Sequence, residues 1–406
     1  MGLTLPSLEV HLHDRIGLRL DTDFLAFVCA TVFAALCTSF GFADSKLCPE
    51  KPDSTPVLIH SAPSWPTARS QRILILGDQG ADQQKRVSVS LKKRFSVPSA
   101  HEKPELRADF AILLGDNFYG SLLDKEGVAS ATDDKWTTRF TNHYKGLNDS
   151  EGRPLRFYPV PGNHDHAGTI SALLARTKVF PGGQWQMPHL NYRFRSGRIA
   201  FIAVDTYKNP GCLEALPSLI ESVKTVNEWA AVDGEPSPDW IVVYGHHPIF
   251  SGGPKHGEKT GETEAFRNRI MPDFPNNVIY LAGHEHLAEV GEYVWPATFK
   301  DRVAQYPLGA ERRHYAVATI GNSGKRKRQP EFYKEVHLYC AGSYGFGILE
   351  PQGDTLKLLL YSVSPQSEST LRVTCSFTKS SDLVRPIQVS CEQNSSPKQK
   401  MCESHE

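Results

Sequence analysis

The chain has 406 residues, of which 45 are basic and 45 are acidic, so its formal net charge at pH 7 is zero. Hydrophobic residues make up 40% and charged residues 22%, which is ordinary for a globular protein and excludes the disordered and collagen-like classes. The length allows one large domain or two ordinary ones, and the balanced charge excludes the electrostatic footprint of a nucleic-acid-binding protein.

The first apolar segment lies near the N-terminus. Residues 24–43 carry no charged side chain and end in Gly41 and Ala43, small residues at the alternate positions that a signal peptidase prefers. The preceding region is acidic, however, and twenty uncharged residues could also span a bilayer uncleaved. We expect residues 1–43 to be a signal peptide or a signal anchor. The body would then be secreted, held in an acidic lysosome- or vacuole-like compartment, or anchored to a membrane by residues 24–43.

Six of the eight cysteines lie after this leader, and none of them belongs to a Cys-x-x-Cys pair, which disfavours a thiolate zinc site. An even number in a secretory chain permits disulfides, although the sequence does not choose among the pairings. Two Asn-x-Ser triplets, at Asn148 and Asn394, fit a glycoprotein.

Composition divides the chain into further segments. Residues 44–68 are rich in Pro and Ser and indicate an N-terminal arm. Residues 69–363 alternate short apolar runs with longer mixed segments, which predicts an α/β domain. Within it, the four basic residues at 325–328 are interpreted as a solvated loop.

The C-terminal segment, residues 364–406, is rich in Ser, Gln and Lys. It contains two pieces of alternating apolar and polar residues, at 371–377 and 387–391. We interpret this extension as either a hairpin pinned by Cys375 and Cys391 or a partly disordered tail.

One pattern recurs five times: a β-like apolar run ends in Gly, and a side chain able to bind a metal follows at once. The five junctions are Gly77-Asp78, Gly115-Asp116, Gly162-Asn163, Gly245-His246 and Gly283-His284. Continuous apolar runs are typical of strands buried on both faces, and ligands of α/β sheets gather beyond the carboxyl ends of such strands. Gly permits a sharp exit from the strand and close approach of the backbone to an ion.

Two local spacings support a shared site. His284 and His286 are two residues apart, so an extended backbone would project both imidazoles to the same side. A turn between Asp116 and Tyr119 would bring the carboxylate and the phenol together. A single Gly-Asp is usually a turn and a single His is usually structural, but five such junctions in order favour one metal site.

The ordered motifs Gly-Asp-x-Gly, Gly-Asp-Asn-x-Tyr, Gly-Asn-His-Asp, Gly-His-x-Pro and Gly-His-x-His resemble the calcineurin-like metallophosphoesterases. The Tyr of Gly-Asp-Asn-Phe-Tyr is similar to that of the purple acid phosphatases of the compact tartrate-resistant type. The resemblance covers about residues 70–350. It implies a four-layer αββα sandwich, in which two mixed β-sheets are flanked by helices.

The resemblance also implies a site for two metal ions. The ligands of a ferric ion would be Asp78, Tyr119 and His286. The ligands of a divalent ion, Fe(II), Zn(II) or Mn(II), would be Asn163, His246 and His284, and Asp116 would bridge the two ions. Carboxylate and phenolate oxygens suit hard Fe(III), whereas imidazole and amide ligands suit the divalent metals.

Three further residues are expected to act on the substrate. His164 resembles the outer-sphere histidine that faces the substrate and its leaving group, Asp165 would orient it, and His256 resembles a second substrate-side histidine. The sequence departs from the family pattern at Gln79, Ala81, His247 and Leu287, and by one extra residue before His256, but no metal ligand is missing.

The resemblance implies a dinuclear-metal acid phosphatase that hydrolyses phosphomonoesters, of small molecules or phosphoproteins, by attack of a metal-bound hydroxide. Fe(III) would allow this at low pH. One alternative is a Mn/Zn protein phosphatase or phosphodiesterase, which Tyr119 disfavours. Another is a catalytically retired phosphatase fold that serves as a membrane or scaffold protein, which the complete ligand set disfavours. We expect a monomer, with no nucleic-acid partner and membrane contact only through an uncleaved anchor.

Overall fold

A computed structural model of the chain describes residues 71–81, 83–95, 107–121, 125–207, 238–249, 251, 277–295, 313–325, 337–382 and 385–394. The expected leader, the Pro/Ser-rich arm and His256 lie outside these residues, so they stay predictions. Within the described part of the chain, no helix is long and apolar enough to cross a membrane.

Fourteen strands among the described residues form two sheets of seven strands each. The first sheet contains, in spatial order, β14 (Ile387–Gln393), β13 (Ser369–Lys379), β12 (Thr355–Val363), β11 (Gly345–Gln352), β1 (Ile73–Leu76), β2 (Phe110–Leu114) and β3 (Phe157–Val160). The second contains β10 (His337–Ala341), β8 (Ala288–Trp295), β9 (Arg313–Ile320), β7 (Val278–Ala282), β6 (Trp240–Tyr244), β5 (Ile199–Ala203) and β4 (Tyr192–Ser196).

Both sheets are mixed. Strands β1, β2 and β3 are parallel to one another, and so are β5, β6, β7 and β9, whereas the remaining pairs are antiparallel. The prediction of two mixed sheets in a metallophosphoesterase fold is therefore confirmed.

Helices are few in the described ranges. They are α1 (Gln84–Phe95), a π-helix (Trp136–Thr141), α2 (Asn142–Tyr144), α3 (Asn163–His166) and α4 (Ile170–Val179). The longest, α1, buries Val87, Leu91 and Phe95, which recur every four residues and so lie on one face of the helix.

The core lies between the two sheets. The ring of Phe110 in β2 contacts those of Phe194 in β4 and Phe201 in β5, with centroids 5.6 and 5.4 Å apart. Every residue of β1, β2, β3, β6 and β7 is buried. These are the five runs that precede the Gly junctions, so the sequence located both the strands and the ends at which functional side chains emerge.

The C-terminal segment continues the first sheet. Strands β13 and β14 form an antiparallel hairpin, and β13 also pairs with β12 along its length. Cys375 and Cys391 face each other in this hairpin and form a disulfide. The prediction of a pinned hairpin is confirmed, and the described part of residues 364–406 extends the sheet that contains β1.

Candidate metal centre

The junctions after the five buried strands converge at one place. Three of the junction residues, Asp78, Asp116 and His284, adopt the left-handed backbone conformation, with φ of 55°, 53° and 67°. At the junction after β3, a Cβ on Gly162 would overlap the carboxylate of Asp116. Only glycine allows the loops after β2 and β3 to approach this closely.

Four predicted ligands form a first group around the hydroxyl of Tyr119. This oxygen lies 2.9 Å from Oδ1 of Asp78 and 2.7 Å from Oδ2 of Asp116, within hydrogen-bonding distance of both carboxylates. Nε2 of His286 lies 3.4 Å from the hydroxyl and 3.3 Å from Oδ1 of Asp78. These carboxylate, phenol and imidazole atoms form a small cluster of potential metal ligands.

A second group lies on the other side of Asp116. Nε2 of His246 lies 3.1 Å from Oδ1 of Asn163, 3.1 Å from Nδ1 of His284 and 3.4 Å from Oδ1 of Asp116. Asp116 thus presents one carboxylate oxygen to each group. The structure brings all seven predicted ligands together around Asp116.

The two groups have dimensions that fit metal ions. Ligand bonds of about 2.0–2.2 Å place two donors on the same ion about 3–3.5 Å apart. The separations in the structure, 2.7–3.4 Å, are equal to or slightly shorter than these edges of a coordination polyhedron. The first group offers carboxylate and phenol oxygens, and the second is dominated by imidazole. The donor set therefore fits one hard and one borderline metal ion.

Backbone contacts orient these ligands. The amide of His284 donates a 2.7 Å hydrogen bond to Oδ2 of Asp78, which leaves Oδ1 facing the first group. Nδ1 of His246 donates to the carbonyl of Leu114 over 2.8 Å, which directs Nε2 toward the second group. Such outer contacts fix the tautomer and orientation of a metal ligand.

In the metal-free protein, the Tyr119 hydroxyl and the His246 imidazole keep their protons beside the carboxylates of Asp78 and Asp116. Burial and the charges of Asp78 and Asp116 hold the pKa of Tyr119 well above its ordinary value. Burial lowers the pKa of His246, but the charge of Asp116 outweighs it and raises that pKa to about 9. Burial raises the pKa of Asp116, but its interactions with His246 and His164 outweigh burial and leave that pKa well below its usual range. Metal binding at these residues would have to displace protons.

Comparison with known proteins identifies the family. Residues 71–288 match the family model described as "Calcineurin-like phosphoesterase". The chain belongs to this family. The match covers more than half of the chain and includes all seven predicted ligands.

Among curated proteins, the chain is similar to tartrate-resistant acid phosphatase type 5 of Mus musculus, with 25% identity over 64% of this chain and 83% of the relative. The rabbit (Oryctolagus cuniculus) protein is 27% identical over 58% and 77%. Purple acid phosphatase 7 of Arabidopsis thaliana is 23% identical over 64% and 74%. The resemblance to purple acid phosphatases is confirmed.

Among solved structures, the chain resembles "GAP50 the anchor in the inner membrane complex of Plasmodium". The TM-score is 0.52 at 19% identity, over 83% of this chain and 92% of that one. At this identity the likeness shows a shared fold.

The hydrogen-bond partners of Asp165 differ from the predicted one. The expectation that Asp165 orients His164 is wrong, because its carboxylate accepts hydrogen bonds from the backbone and side-chain amides of Asn117, at 3.0 and 2.9 Å, and from the amide of Gly162, at 2.8 Å. Burial and the charge of Asp116 raise the pKa of Asp165 to about 6, although these amide contacts lower it. Asp165 joins the loops after β2 and β3.

His164 is held by a carboxylate that the sequence did not reveal. Nδ1 of His164 lies 2.9 Å from Oε2 of Glu126, and that oxygen accepts a 2.6 Å hydrogen bond from the amide of Gly120. Nε2 of His164 points to the ligand cluster, 3.8 Å from Oδ2 of Asp116. The ring also packs against that of Tyr119, with centroids 4.1 Å apart. Glu126 thus fixes the ring with one nitrogen facing the metal centre.

Two more histidines lie near the predicted ligands, and both contact side chains of the segment that follows β5. His247, at the variable position of Gly-His-x-Pro, is buried; its Nδ1 lies 2.9 Å from Oγ1 of Thr206, and its ring centroid lies 4.5 Å from that of His284. Nε2 of His166 lies 3.0 Å from both oxygens of Asp205. Both partners belong to the segment after β5, which therefore braces the loops that carry the second ligand group.

Proposed function

We propose that the chain is a dinuclear-metal acid phosphatase that hydrolyses phosphomonoesters. The observation that carries this proposal is the position of the Tyr119 hydroxyl, between two carboxylates and beside His286, within a complete set of seven ligands. The curated relatives with acid phosphatase names support the same activity.

The ligand chemistry favours iron at the first group. A phenol surrounded by two carboxylates and buried from water resists ionisation, so a strongly charged cation is needed to hold it as a ligand. Fe(III) is hard and trivalent and meets this requirement. We assign Fe(III) to Asp78, Tyr119 and His286, and Fe(II), Zn(II) or Mn(II) to Asn163, His246 and His284, with Asp116 shared.

Each part of the site has a defined task. When bound, the two ions would supply Lewis-acid polarisation of the phosphoryl group and activation of water. His164 is 27% exposed and so reachable by substrate, and its Nε2 faces the cluster. A proton on Nε2 can pass to the leaving oxygen, while Glu126 stabilises the imidazolium through Nδ1. Asp165 keeps the loops after β2 and β3 in register.

The full chain, purified with its metal, tests the proposal. We expect about two metal ions per chain, one of them iron, and turnover of a chromogenic phosphomonoester at acidic pH. Asn163→Ala should abolish turnover but retain the iron, because it alters only the second group. Full activity in this variant would overturn the two-metal assignment.

Other outcomes separate the alternatives. An active, colourless protein with two zinc or manganese ions would defeat the iron assignment and leave a broader phosphoesterase. A chain that binds no metal and turns over no phosphate ester would instead favour a retired phosphatase fold that serves as a membrane or scaffold protein. The structurally similar GAP50 is described as an anchor in the inner membrane complex of Plasmodium.

A further inference from the structure

A lysine outside the recognised motifs contacts a predicted metal ligand. Nζ of Lys325 lies 3.7 Å from the centroid of the Tyr119 ring. Lys325 opens the basic run at 325–328, which the sequence interpretation assigned to a solvated loop. Lys325 lies in a loop and is half-buried, with its side chain packed on the predicted ligand Tyr119; residues 326–328 lie outside the described part of the chain.

The loop that carries Lys325 is fixed against the same strand exit as Asp78. The amide of Ser323 donates a 3.1 Å hydrogen bond to the carbonyl of Gly77. A Cβ on Gly321 would lie 2.6 Å from Oδ2 of Asp78, so the loop backbone is in close contact with that carboxylate. The position of Lys325 at the site is therefore set by backbone contacts, and not by the reach of its side chain alone.

The ammonium of Lys325 is available to an anion. No carboxylate in the described part of the chain forms an ion pair with it, and its recorded partner there is the face of the Tyr119 ring. A ring face attracts a cation only modestly at a partly exposed site, so a phosphate oxygen would compete successfully. His164 contacts the same ring, with centroids 4.1 Å apart. Lys325 and His164 thus contact the ring of the same predicted ligand.

We propose that Lys325 binds the phosphoryl group of the substrate and selects terminal phosphate groups over phosphodiesters. This inference rests on the proposed phosphatase function and names the substrate class of the same site. A terminal phosphate carries about two negative charges above its second pKa of about 6, whereas a diester carries one, so the two esters are compared at about pH 7. A fixed ammonium attracts the dianion more strongly, because the interaction scales with the product of the charges.

The test separates the effect of the Lys325 charge from the effect of its packing against Tyr119. Lys325→Met keeps an unbranched side chain against Tyr119 but removes the ammonium, and Lys325→Arg restores a cation. Lys178→Met, at an exposed lysine at the end of α4, is the matched control. For each metal-loaded protein we would measure kcat/KM for para-nitrophenyl phosphate and bis(para-nitrophenyl) phosphate, inorganic phosphate affinity by isothermal titration calorimetry, and the melting temperature.

We expect Lys325→Met to lower phosphate affinity and kcat/KM for the monoester by about 10-fold or more, the usual effect of losing one charge-assisted hydrogen bond. The diester should lose much less, so the monoester-to-diester ratio falls. Lys325→Arg should recover most of the ratio, and Lys178→Met should leave it unchanged.

Equal losses for both esters, or unchanged phosphate affinity, would overturn the proposal. A lower melting temperature with an unchanged ratio would do the same and would leave Lys325 a packing residue. If the parent protein turned over neither ester, the proposed function would fail, and the phosphate titration alone would still decide whether Lys325 binds the anion.

Discussion

Glu126→Gln is the change that most directly tests how this centre works. The substitution keeps the length of the side chain and an oxygen that can accept a hydrogen bond from Nδ1 of His164. It removes the negative charge that lies 2.9 Å from that nitrogen. The ligand groups are untouched, so we expect the metal content to be that of the parent protein.

The size of the effect follows from the contact and its exposure. Removing a residue that orients a functional side chain from the outer sphere typically costs about 10- to 100-fold. The side chain of Glu126 is 39% exposed, so water screens part of its charge, and an acceptor oxygen remains. We therefore expect a loss of about tenfold in kcat/KM, at the low end of that range. The loss should be largest for poor leaving groups, which depend most on protonation.

The assay is a double-mutant cycle over a series of aryl phosphates with different leaving groups. His164→Ala should lower the rate by about 10²–10⁴-fold for poor leaving groups, the usual contribution of a positioned acid. If Glu126 acts through His164, the double variant should be no slower than His164→Ala. Glu392→Gln, at an exposed glutamate of β14, serves as the control.

Two results would refute this reasoning. Equal losses for good and poor leaving groups would show that Glu126 affects binding and not protonation. Additive losses in the double variant would show that the two side chains act independently.

Three further predictions concern the metals. Gly162→Ala should lower the metal content and the turnover together, because its Cβ overlaps the Asp116 carboxylate; normal metal content by elemental analysis would contradict the need for glycine there. Tyr119→Phe should remove the visible absorption of a violet or pink protein while three ligands of the first group remain; a variant that keeps its colour would place the phenolate ligand elsewhere. The metal-free protein should release protons on metal uptake at pH 7, because His246, with a pKa of about 9, is protonated there and must become neutral to bind. The apparent affinity should therefore fall as pH drops below 9; calorimetry in buffers of different ionisation enthalpy measures this, and uptake without proton release would contradict it.

The sequence predicted the strands of this site because their signals are strong and local. A strand buried on both faces, such as β2, reads as an unbroken apolar run, and the following Gly marks its exit. The parallel order then places the exits of β1, β2 and β3 at one edge of the first sheet, and those of β6 and β7 at one edge of the second. The alternating apolar and polar residues of β13 and β14 indicated a hairpin, although the sequence alone also allowed a partly disordered tail. That this hairpin extends the sheet of β1 depends on long-range pairing, which no local pattern encodes.

The sequence did not predict which residues contact the site from outside the motifs. Glu126 and Lys325 reach it from irregular loops, at no fixed spacing from a motif, so nothing in the sequence distinguishes them from solvated charges. Asp165 shows the complementary difficulty: its motif places the residue correctly, but the direction of a buried carboxylate depends on which amides the neighbouring loop presents. These contacts depend on the conformation of the loops, which is determined by residues far away in the sequence.

The left-handed backbone at Asp78, Asp116 and His284 has a practical consequence for engineering this protein. Each such residue costs about 1 kcal/mol relative to an ordinary conformation, and two of them also bury a negative charge. Asn tolerates this conformation well and, at Asp78, keeps an acceptor oxygen while removing the charge. The charge of Asp116 is different, because it is paired with His246 in the metal-free protein. A thermostability screen carried out in metal-free medium would therefore enrich substitutions that destroy the metal centre, whereas the same screen with metal present would reject them, because ligand binding stabilises the folded chain.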